Sequence, residues 1–317
     1  MARALLNAVS RPPLLIVLGP TGSGKSAIAH EIARRRAGEI ISADAFAVYR
    51  GLDIGTAKPT REEREEVPYH LIDAAEPWET FSAGRWSRDA RTAVDDIARR
   101  GRVPIVCGGS GFYIAALLEG LPPGEAVEPR LRRQLNDWAA DHREIAWRML
   151  AVNDPVSAGR IERGNLRYTL RALEILLATG APASARSRAP DAWADDFRVV
   201  KLGLALPARD LYVRIAARVR RMLEEGWDAE IRELLARDVS IESNAFLAIG
   251  YREVADWIEG RAGRSETEEK IVTATRQLAR RQMTWFKRER GIEWVRPEEA
   301  LEAASGLLDR VETGRSG

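Results

Sequence analysis

Apolar positions recur along this chain in two rhythms, and the switch between them marks out its parts. Up to about residue 120, short unbroken apolar runs alternate with stretches of helical period. The runs are Leu14-Leu15-Ile16-Val17-Leu18, Ile40-Ile41 within residues 39–43, and Val103-Pro104-Ile105-Val106-Cys107. Between them, residues 27–36 and 83–100 repeat as helices do, and the first ends in Arg34-Arg35-Arg36, where cations suit the helix dipole. Residues 60–67, acidic and basic throughout, read as a solvated helix. Strand, helix, strand, helix in this order predicts a parallel sheet with helices on both faces.

The pattern changes after Leu121-Pro122-Pro123-Gly124. From 129 to 179 only helical periodicity remains, with Leu131, Leu135, Trp138, Ile145 and Leu150 at helix-like intervals. A strand returns at 199–205. A long helix follows from 210 to about 236, with Leu211, Ile215, Val219, Leu223, Ile231 and Leu235 on one face, and a late helix runs over about 266–288. The economical division is an α/β core at 1–120, a helical insertion at 121–198 and a continuation of the core at 199–317. Residues 1–12 are expected to be a loose leader, and the tail beyond 310 is expected to fray.

Composition changes this picture little. Of 317 residues, 45% are hydrophobic, which is ample for a core, and the net charge of +2 makes no global case for a polyanionic partner. One cysteine excludes a disulfide framework or a multi-cysteine zinc site. Cys107, inside an apolar run, reads as a small buried residue. His30, His70 and His142 show no ligand spacing. No signal peptide and no apolar stretch of the roughly 20 residues that span a bilayer is seen, so a cytoplasmic protein without membrane attachment is expected.

Chemistry enters at Gly19-Pro20-Thr21-Gly22-Ser23-Gly24-Lys25-Ser26, a G-x-x-x-x-G-K-[ST] loop between a strand and a helix. In such a P-loop the glycines let backbone N–H groups converge on an anion, Lys25 adds a charge and Ser26 can ligate Mg²⁺. The expected fold is therefore α/β, a P-loop NTPase-like parallel sheet with a helical insertion domain, handling a di- or triphosphate. Asp44 ends the second strand, beside the crevice where ligands of such sheets bind. It could hold Mg²⁺, accept a proton, or simply cap its own turn. The third strand ends in Gly108-Gly109-Ser110-Gly111 rather than in the carboxylate that many P-loop NTPases place there, which argues against a motor-type NTPase. On the late helix, Ile271, Ala274, Leu278, Gln282, Met283, Trp285 and Phe286 fall on one arc. Arg276, Arg280 and Lys287 stripe the other, with Arg281 and Arg288 beside them, either as a phosphate-backbone footprint or as a solvated face.

The stretch from Ile40 through Asp44 to Val48-Tyr49-Arg50-Gly51-Leu52-Asp53-Ile54-Gly55-Thr56-Ala57-Lys58-Pro59 closely resembles the tRNA dimethylallyltransferase (tRNA isopentenyltransferase) family. Further matches follow in the family's order: His70-Leu71-Ile72-Asp73, Phe81-Ser82, residues 108–113, residues 171–174, Leu211-Tyr212-Val213-Arg214-Ile215, residues 248–251 and residues 275–286. The resemblance spans roughly 13–296. It implies transfer of a dimethylallyl group from its diphosphate to N6 of the adenosine 3′ to the anticodon, with diphosphate leaving. By that resemblance residues 19–26 hold the diphosphate with Mg²⁺ on Ser26, Asp44 takes the N6 proton, and Arg214 and Ser110 assist. The adenine is flipped out of its stack. The resemblance assigns tRNA contacts to Asp44, Ala45, Phe46, Ala47, Arg167, Tyr168, Arg171, Gly250, Tyr251, Arg252, Arg276, Arg280, Arg281, Gln282, Trp285 and Lys287. A monomer is expected.

Three departures stand out. The family's usual D-S-x-Q turn is Asp44-Ala45-Phe46-Ala47 here, its usual Thr is Ser110, and its Q-R-x-x-R segment is Arg167-Tyr168-Thr169-Leu170-Arg171. They bear on tRNA affinity and base specificity rather than on the chemistry. Two other readings stay open: a small-molecule kinase binding ATP at the same loop, and a tRNA-binding paralogue whose altered 44–47 turn has lost turnover.

Overall fold

The structure, a computed structural model, describes residues 11–121, 129–185 and 191–313. The first ten residues of the expected leader and the Pro122–Gly124 break lie outside the described residues. Two compact units result, one formed by the chain up to Leu118 and from Ala192 onward, the other by Glu119–Asp191. The second boundary thus falls before the 198 expected from sequence. Phe197 packs into the core of the first unit and Trp193 packs against that core, so this short connection belongs with the strand that follows it.

The first unit is built on six strands: β1 (Pro13–Leu18), β2 (Gly38–Ala43), β3 (Tyr69–His70), β4 (Val103–Gly108), β5 (Arg198–Leu204) and β6 (Ile292–Val295). They pair in the order β3-β2-β4-β1-β5-β6, every ladder parallel. A parallel sheet is covered on both faces, so its strands are apolar throughout rather than alternating. β1 shows the consequence: Leu14, Ile16 and Leu18 enter one core, Leu15 and Val17 the other. On the second side lie α1 (Lys25–Arg35), through Ala29, Ile32 and Ala33, and α13 (Ala300–Glu312), through Ala300, Ala304 and Leu308. The expected fraying beyond 310 does not occur up to α13's end, because Val311 is buried.

The other face is covered by α3 (Ala83–Arg99), whose Trp86 is fully buried and donates Nε1 to Ser42 O at 2.8 Å. Beside it pack α9 (Ala208–Glu224), α10 (Trp227–Ala236), α11 (Tyr251–Ile258) and α12 (Arg264–Phe286). The single helix expected over 210–236 is two. Gly226 sits at φ +97°, a left-handed conformation open to glycine, and turns the chain between α9 and α10. Short α2 (Arg61–Glu66) is solvated, as its charge pattern requires, and Thr60 and Glu63 form its capping box. α4 (Gly111–Glu119) leads out of the sheet.

The helical unit holds α5 (Pro129–Asp141), α6 (Arg143–Asn153), α7 (Pro155–Arg160) and α8 (Leu166–Thr179) around Leu135, Ala139, Ala146, Leu150, Leu170 and Leu173. Of the positions that periodicity placed inside, Ile145 is instead exposed.

One buried carboxylate at the amino end of β2 ties it to His70 of β3 and to the turn that leads into β4. Glu39, 2% exposed, accepts from Arg100 Nη2 at 2.8 Å, Arg102 Nη1 at 3.1 Å and His70 Nε2 at 2.7 Å. The Arg100 bond first, then His70, holds its pKa down at about 2. A carboxyl whose folded pKa is depressed stabilises fully above its unfolded value near 4.3, and this stability is lost as pH falls toward 2. Glu39→Gln should lower stability at neutral pH by roughly 2–3 kcal/mol, less than a fully buried pair because both arginines reach water. Denaturant titrations should also show the difference between wild type and variant shrinking from pH 5 to pH 2.

Candidate active site

The loop 19–26 joins the carboxyl end of β1 to α1. Gly22 and Gly24, at φ +82° and +91°, allow its reversal, and the first amides of α1 have no intrahelical acceptor. Two loop amides expected to face an anion are already used: Ser23 N–H donates to Pro20 O at 3.2 Å and Thr21 N–H to Gln282 Oε1 at 2.8 Å. Ser23 is fully buried, and its hydroxyl has no hydrogen-bond partner among the described residues. Lys25 Nζ donates to Pro20 O at 3.4 Å. Burial lowers its pKa.

A cavity of about 580 Å³ opens at this end of the sheet. Its lining includes Thr21, Gly22, Gly24, Lys25 and Ser26 from the loop, Asp44 and Ala47 after β2, Gly108 at the end of β4, and Arg214, Arg218 and Arg221 from α9. Ile40, Ile72, Ala57, Cys107 and Leu278 make part of the wall apolar. Cys107 is the buried small residue its sequence context predicts, and burial pushes its thiol up to about 11.

Asp44 caps its own turn, one of the three readings its position left open. Its Oδ1 accepts from Phe46 N–H at 2.8 Å and Ala47 N–H at 3.2 Å, capping the turn, while the residue still lines the cavity. The parallel ladder sets Ala43 opposite Gly108, and Ser110 N–H reaches Ala43 O at 3.3 Å. Ser110 is therefore a neighbour of the Asp44 turn, next to the residues that line the cavity. Its carbonyl accepts from Tyr113 and Ile114 as α4 begins.

The cavity's charge is lopsided. Five cations, Lys25, Lys58, Arg214, Arg218 and Arg221, face Asp44 and Glu63. Lys58 is spoken for, donating to Tyr49 O, Asp53 and Asp73 at 2.6, 2.7 and 2.6 Å. Arg214 reaches the loop, its Nη1 lying 3.7 Å from where a Cβ on Gly24 would stand. Arg218, part-buried, has its pKa lowered by burial, with Asp44 opposing that shift. Neither guanidinium has an ion pair among the described residues. Sequence reasoning missed Arg218 and Arg221. The spacing 214, 218, 221 puts all three on one face of α9, yet charges within an amphipathic helix usually mean solvent.

Residues expected to touch RNA are dispersed. Arg167, Tyr168 and Arg171 are exposed on α8 of the helical unit, Arg171 paired with Glu174 at 2.9 Å. On α12 Arg280 and Arg281 are exposed and Arg276 is part-buried, and Lys287, just past its end, is exposed. Gln282 is turned inward to the P-loop, whereas Trp285 lies against Gly111 and is still 41% exposed. Ala45 and Phe46 are part-buried, and Ala47 is buried in the cavity wall. Arg252 is exposed and paired with Glu242 at 3.2 Å.

Gly250 and Tyr251 cannot be contacts. Tyr251 is fully buried and its hydroxyl donates to Glu230 at 2.7 Å. Gly250, at φ +99°, is covered by Trp227, whose ring would lie 2.0 Å from an added Cβ. Glu230 is another residue the sequence did not disclose. It accepts the amides of Asp53, Ile54 and Gly55 at 2.7, 2.6 and 3.3 Å, and burial still raises its pKa against these bonds. It thereby anchors the segment that supplies Thr56, Ala57 and Lys58 to the cavity.

A parallel sheet with a glycine-rich anion loop after its first strand, and a ligand-sized cavity at the strands' carboxyl ends, defines a P-loop-type α/β protein. The IPP transferase family model matches residues 47–289 and the isopentenyl transferase model residues 12–76. The chain is 41% identical over 305 residues to the tRNA dimethylallyltransferase of Desulfosudis oleivorans, covering 95% of this chain and 96% of that protein. It is 44% identical over 283 residues to that of Geobacter metallireducens, with coverage of 89% and 92%. Among solved structures, the full-length tRNA isopentenylpyrophosphate transferase of Bacillus halodurans superposes with a TM-score of 0.68 at 32% identity, over 95% of this chain and 98% of that one. A eukaryotic dimethylallyltransferase described as acting on tRNA gives 0.79 at 25% identity, over 96% and 80%. The chain belongs to the IPP transferase family of tRNA dimethylallyltransferases.

The buried pair at 250–251 gives a clear expectation. Gly250→Ala should cost roughly 2–5 kcal/mol of stability, from the left-handed φ and the clash with Trp227. Tyr251→Phe should cost about 1–3 kcal/mol by removing a donor from a buried carboxylate. Chemical denaturation reads both, and RNA affinity per folded molecule of Tyr251→Phe should match wild type.

Proposed function

We propose that this chain transfers a dimethylallyl group from dimethylallyl diphosphate to N6 of the adenosine 3′ to the anticodon of tRNA, releasing diphosphate. The observation that carries this reading is the pairing, in one cavity, of a carboxylate on one wall with Lys25, Arg214 and Arg218 on the other. The curated relatives' names support it, as does the neighbour described as acting on tRNA.

In this mechanism the diphosphate lies against the amides that open α1, Lys25, Arg214 and Arg218. Their positive charge stabilises what develops on the leaving group, an electrostatic strategy shared with phosphoryl transfer. The adenine N6 lone pair attacks C1 of the allyl group, and the C1–O bond breaks with its electron pair going to the diphosphate oxygen. Asp44 accepts the proton that N6 loses, through Oδ2, since Oδ1 is held by the Phe46 and Ala47 amides. The apolar wall at Ile40, Ile72 and Leu278 suits a five-carbon allyl chain and limits water.

The donor set also suits Mg²⁺. Ser26 brings a hydroxyl oxygen to the cavity beside the diphosphate cradle, with Asp44 on the same lining, and hard oxygen donors of this kind match that ion. No group of three His, Cys, Asp or Glu side chains fit to hold a metal occurs among the described residues, so diphosphate oxygens and water would complete its shell. The ion would add charge neutralisation at the leaving group. Exposed Arg167 and Tyr168 of the helical unit and the cations of α12 would grip the anticodon stem-loop, chiefly through phosphates and shape. No helix among the described residues is long and apolar enough to cross a membrane, which suits a reaction on tRNA in the cytoplasm.

The direct test is incubation with Mg²⁺, dimethylallyl diphosphate and a tRNA carrying adenosine 3′ to its anticodon, followed by mass spectrometry for isopentenyl-adenosine. Asp44→Asn keeps the turn's acceptor oxygen and loses only basicity. It should lower kcat by about 100-fold or more while tRNA affinity stays within about twofold. Normal turnover by that variant would remove Asp44 as the base. Arg218→Gln should raise the KM for dimethylallyl diphosphate roughly tenfold, the scale of a charge-assisted hydrogen bond.

A further inference from the structure

A second hollow, of about 470 Å³, lies on the other side of α9 and is used by no step of the proposed reaction. Arg209, Tyr212, Val213, Ala216 and Arg220 of α9 line it together with Arg276 of α12, and Ala217 lines both this groove and the catalytic cavity. Its groups are arranged around one ring. The Arg276 guanidinium stands 5.1 Å from the Tyr212 ring centroid, and its Nε is buried with no hydrogen-bond partner. Arg280 donates Nε to the Tyr212 hydroxyl at 2.6 Å, and its guanidinium stands 5.5 Å from the ring centroid, so two arginines hold the ring in place. Val213, 65% exposed, offers a bare aliphatic surface beside it.

Among the described residues no acid lines the groove. Arg220 is matched by Glu268 at 3.2 Å, whereas Arg209 and Arg276 have no ion pair among the described residues. A fixed aromatic plane, planar guanidiniums and an unmatched positive charge together fit a flat heterocycle joined to a phosphate. That is a nucleotide of single-stranded RNA: bases unstacked from a loop are held on aromatic and arginine planes, and phosphates by cations. An acidic peptide would satisfy the charges but not the ring or the Val213 surface. The wall shared through Ala217 sets which nucleotide it is, because a strand delivering one base to the catalytic cavity must place its neighbour close by.

We propose that this groove is a subsite for the nucleotide directly adjoining the target adenosine, its phosphate on Arg209 and Arg276 and its base against Tyr212, Arg276 and Val213. The proposal rests on the reading of the chain as an enzyme acting on tRNA. It adds a means of sensing the target's neighbour, apart from the residues that do the chemistry.

Fluorescence anisotropy with a labelled anticodon stem-loop RNA tests it, using intact RNA and RNAs abasic on the 5′ or the 3′ side of the target. Tyr212→Leu should weaken binding of intact RNA roughly tenfold, the effect of losing one stacked base, and Tyr212→Phe by no more than about threefold. One of the two abasic RNAs should bind wild type about tenfold more weakly, and Tyr212→Leu should lose nothing further on that RNA. Val213→Asp, at an exposed position with little packing to lose, should weaken intact RNA by a similar factor. Calorimetry with dimethylallyl diphosphate should give unchanged affinity for both variants and so report an intact fold. Tight wild-type binding that Tyr212→Leu and Val213→Asp leave unaltered overturns the groove alone. Wild-type protein that binds neither this RNA nor whole tRNA overturns the functional reading and the groove with it.

Discussion

Everything at the site depends on the parallel pairing of β1, β2 and β4. Parallel strands discharge their loops at one end of the sheet, so the glycine loop, Asp44 and the 108–111 turn emerge side by side although some 90 positions of sequence separate the first from the last. The register decides the details. With Ala43 opposite Gly108, a side chain on residue 108 would drive into Ala43 O, so the glycine is required for the two strand ends to come together. A one-residue slip would exchange the faces of β2 and carry Asp44 away from Lys25.

The second constraint is α12. Gln282 reaches across 261 positions of sequence to the Thr21 amide, Trp285 lies on Gly111, and Ile271, Ala279 and Phe286 are buried in the core. The same helix therefore fixes the anion loop, braces the turn after β4 and holds Arg276 against Tyr212. Its polar face is partly spent on internal work, so counting its cations overstates the charge it offers to a partner. On α9 the opposite holds: Arg218 and Arg221 look like ordinary surface charges in sequence and end up lining the cavity.

What could be read in advance was local or strongly periodic. The P-loop, the strand that leads into it and the Asp44 turn are each encoded within a few neighbouring residues, and the structure places them together as their motifs require. The helical insertion was visible as a change of period, since a helical core such as that around Leu150 and Leu173 leaves its mark on every turn. Partnerships between distant segments were not legible. Gln282 sits in an arginine-rich helix and reads as one more RNA contact; only the folded chain shows its amide caught by Thr21. Tyr251, an aromatic after a glycine, has the look of an exposed recognition residue until Glu230 and Trp227 are seen around it. Gly226 needed its φ to be known before one helix became two.

The Glu230 anchor has a consequence for how the cavity meets its ligands. The loop 53–59 supplies Thr56, Ala57, Lys58 and Pro59 to the cavity wall, and loops in such positions often serve as lids that must be ordered when substrate arrives. Here three amides of the loop end on Glu230, and Lys58 is locked between Tyr49, Asp53 and Asp73. The conformational entropy of this wall is lost once, during folding, and is not charged again to each binding event. Substrates meet a rigid mould on that side, and any opening and closing during turnover has to come from elsewhere in the molecule.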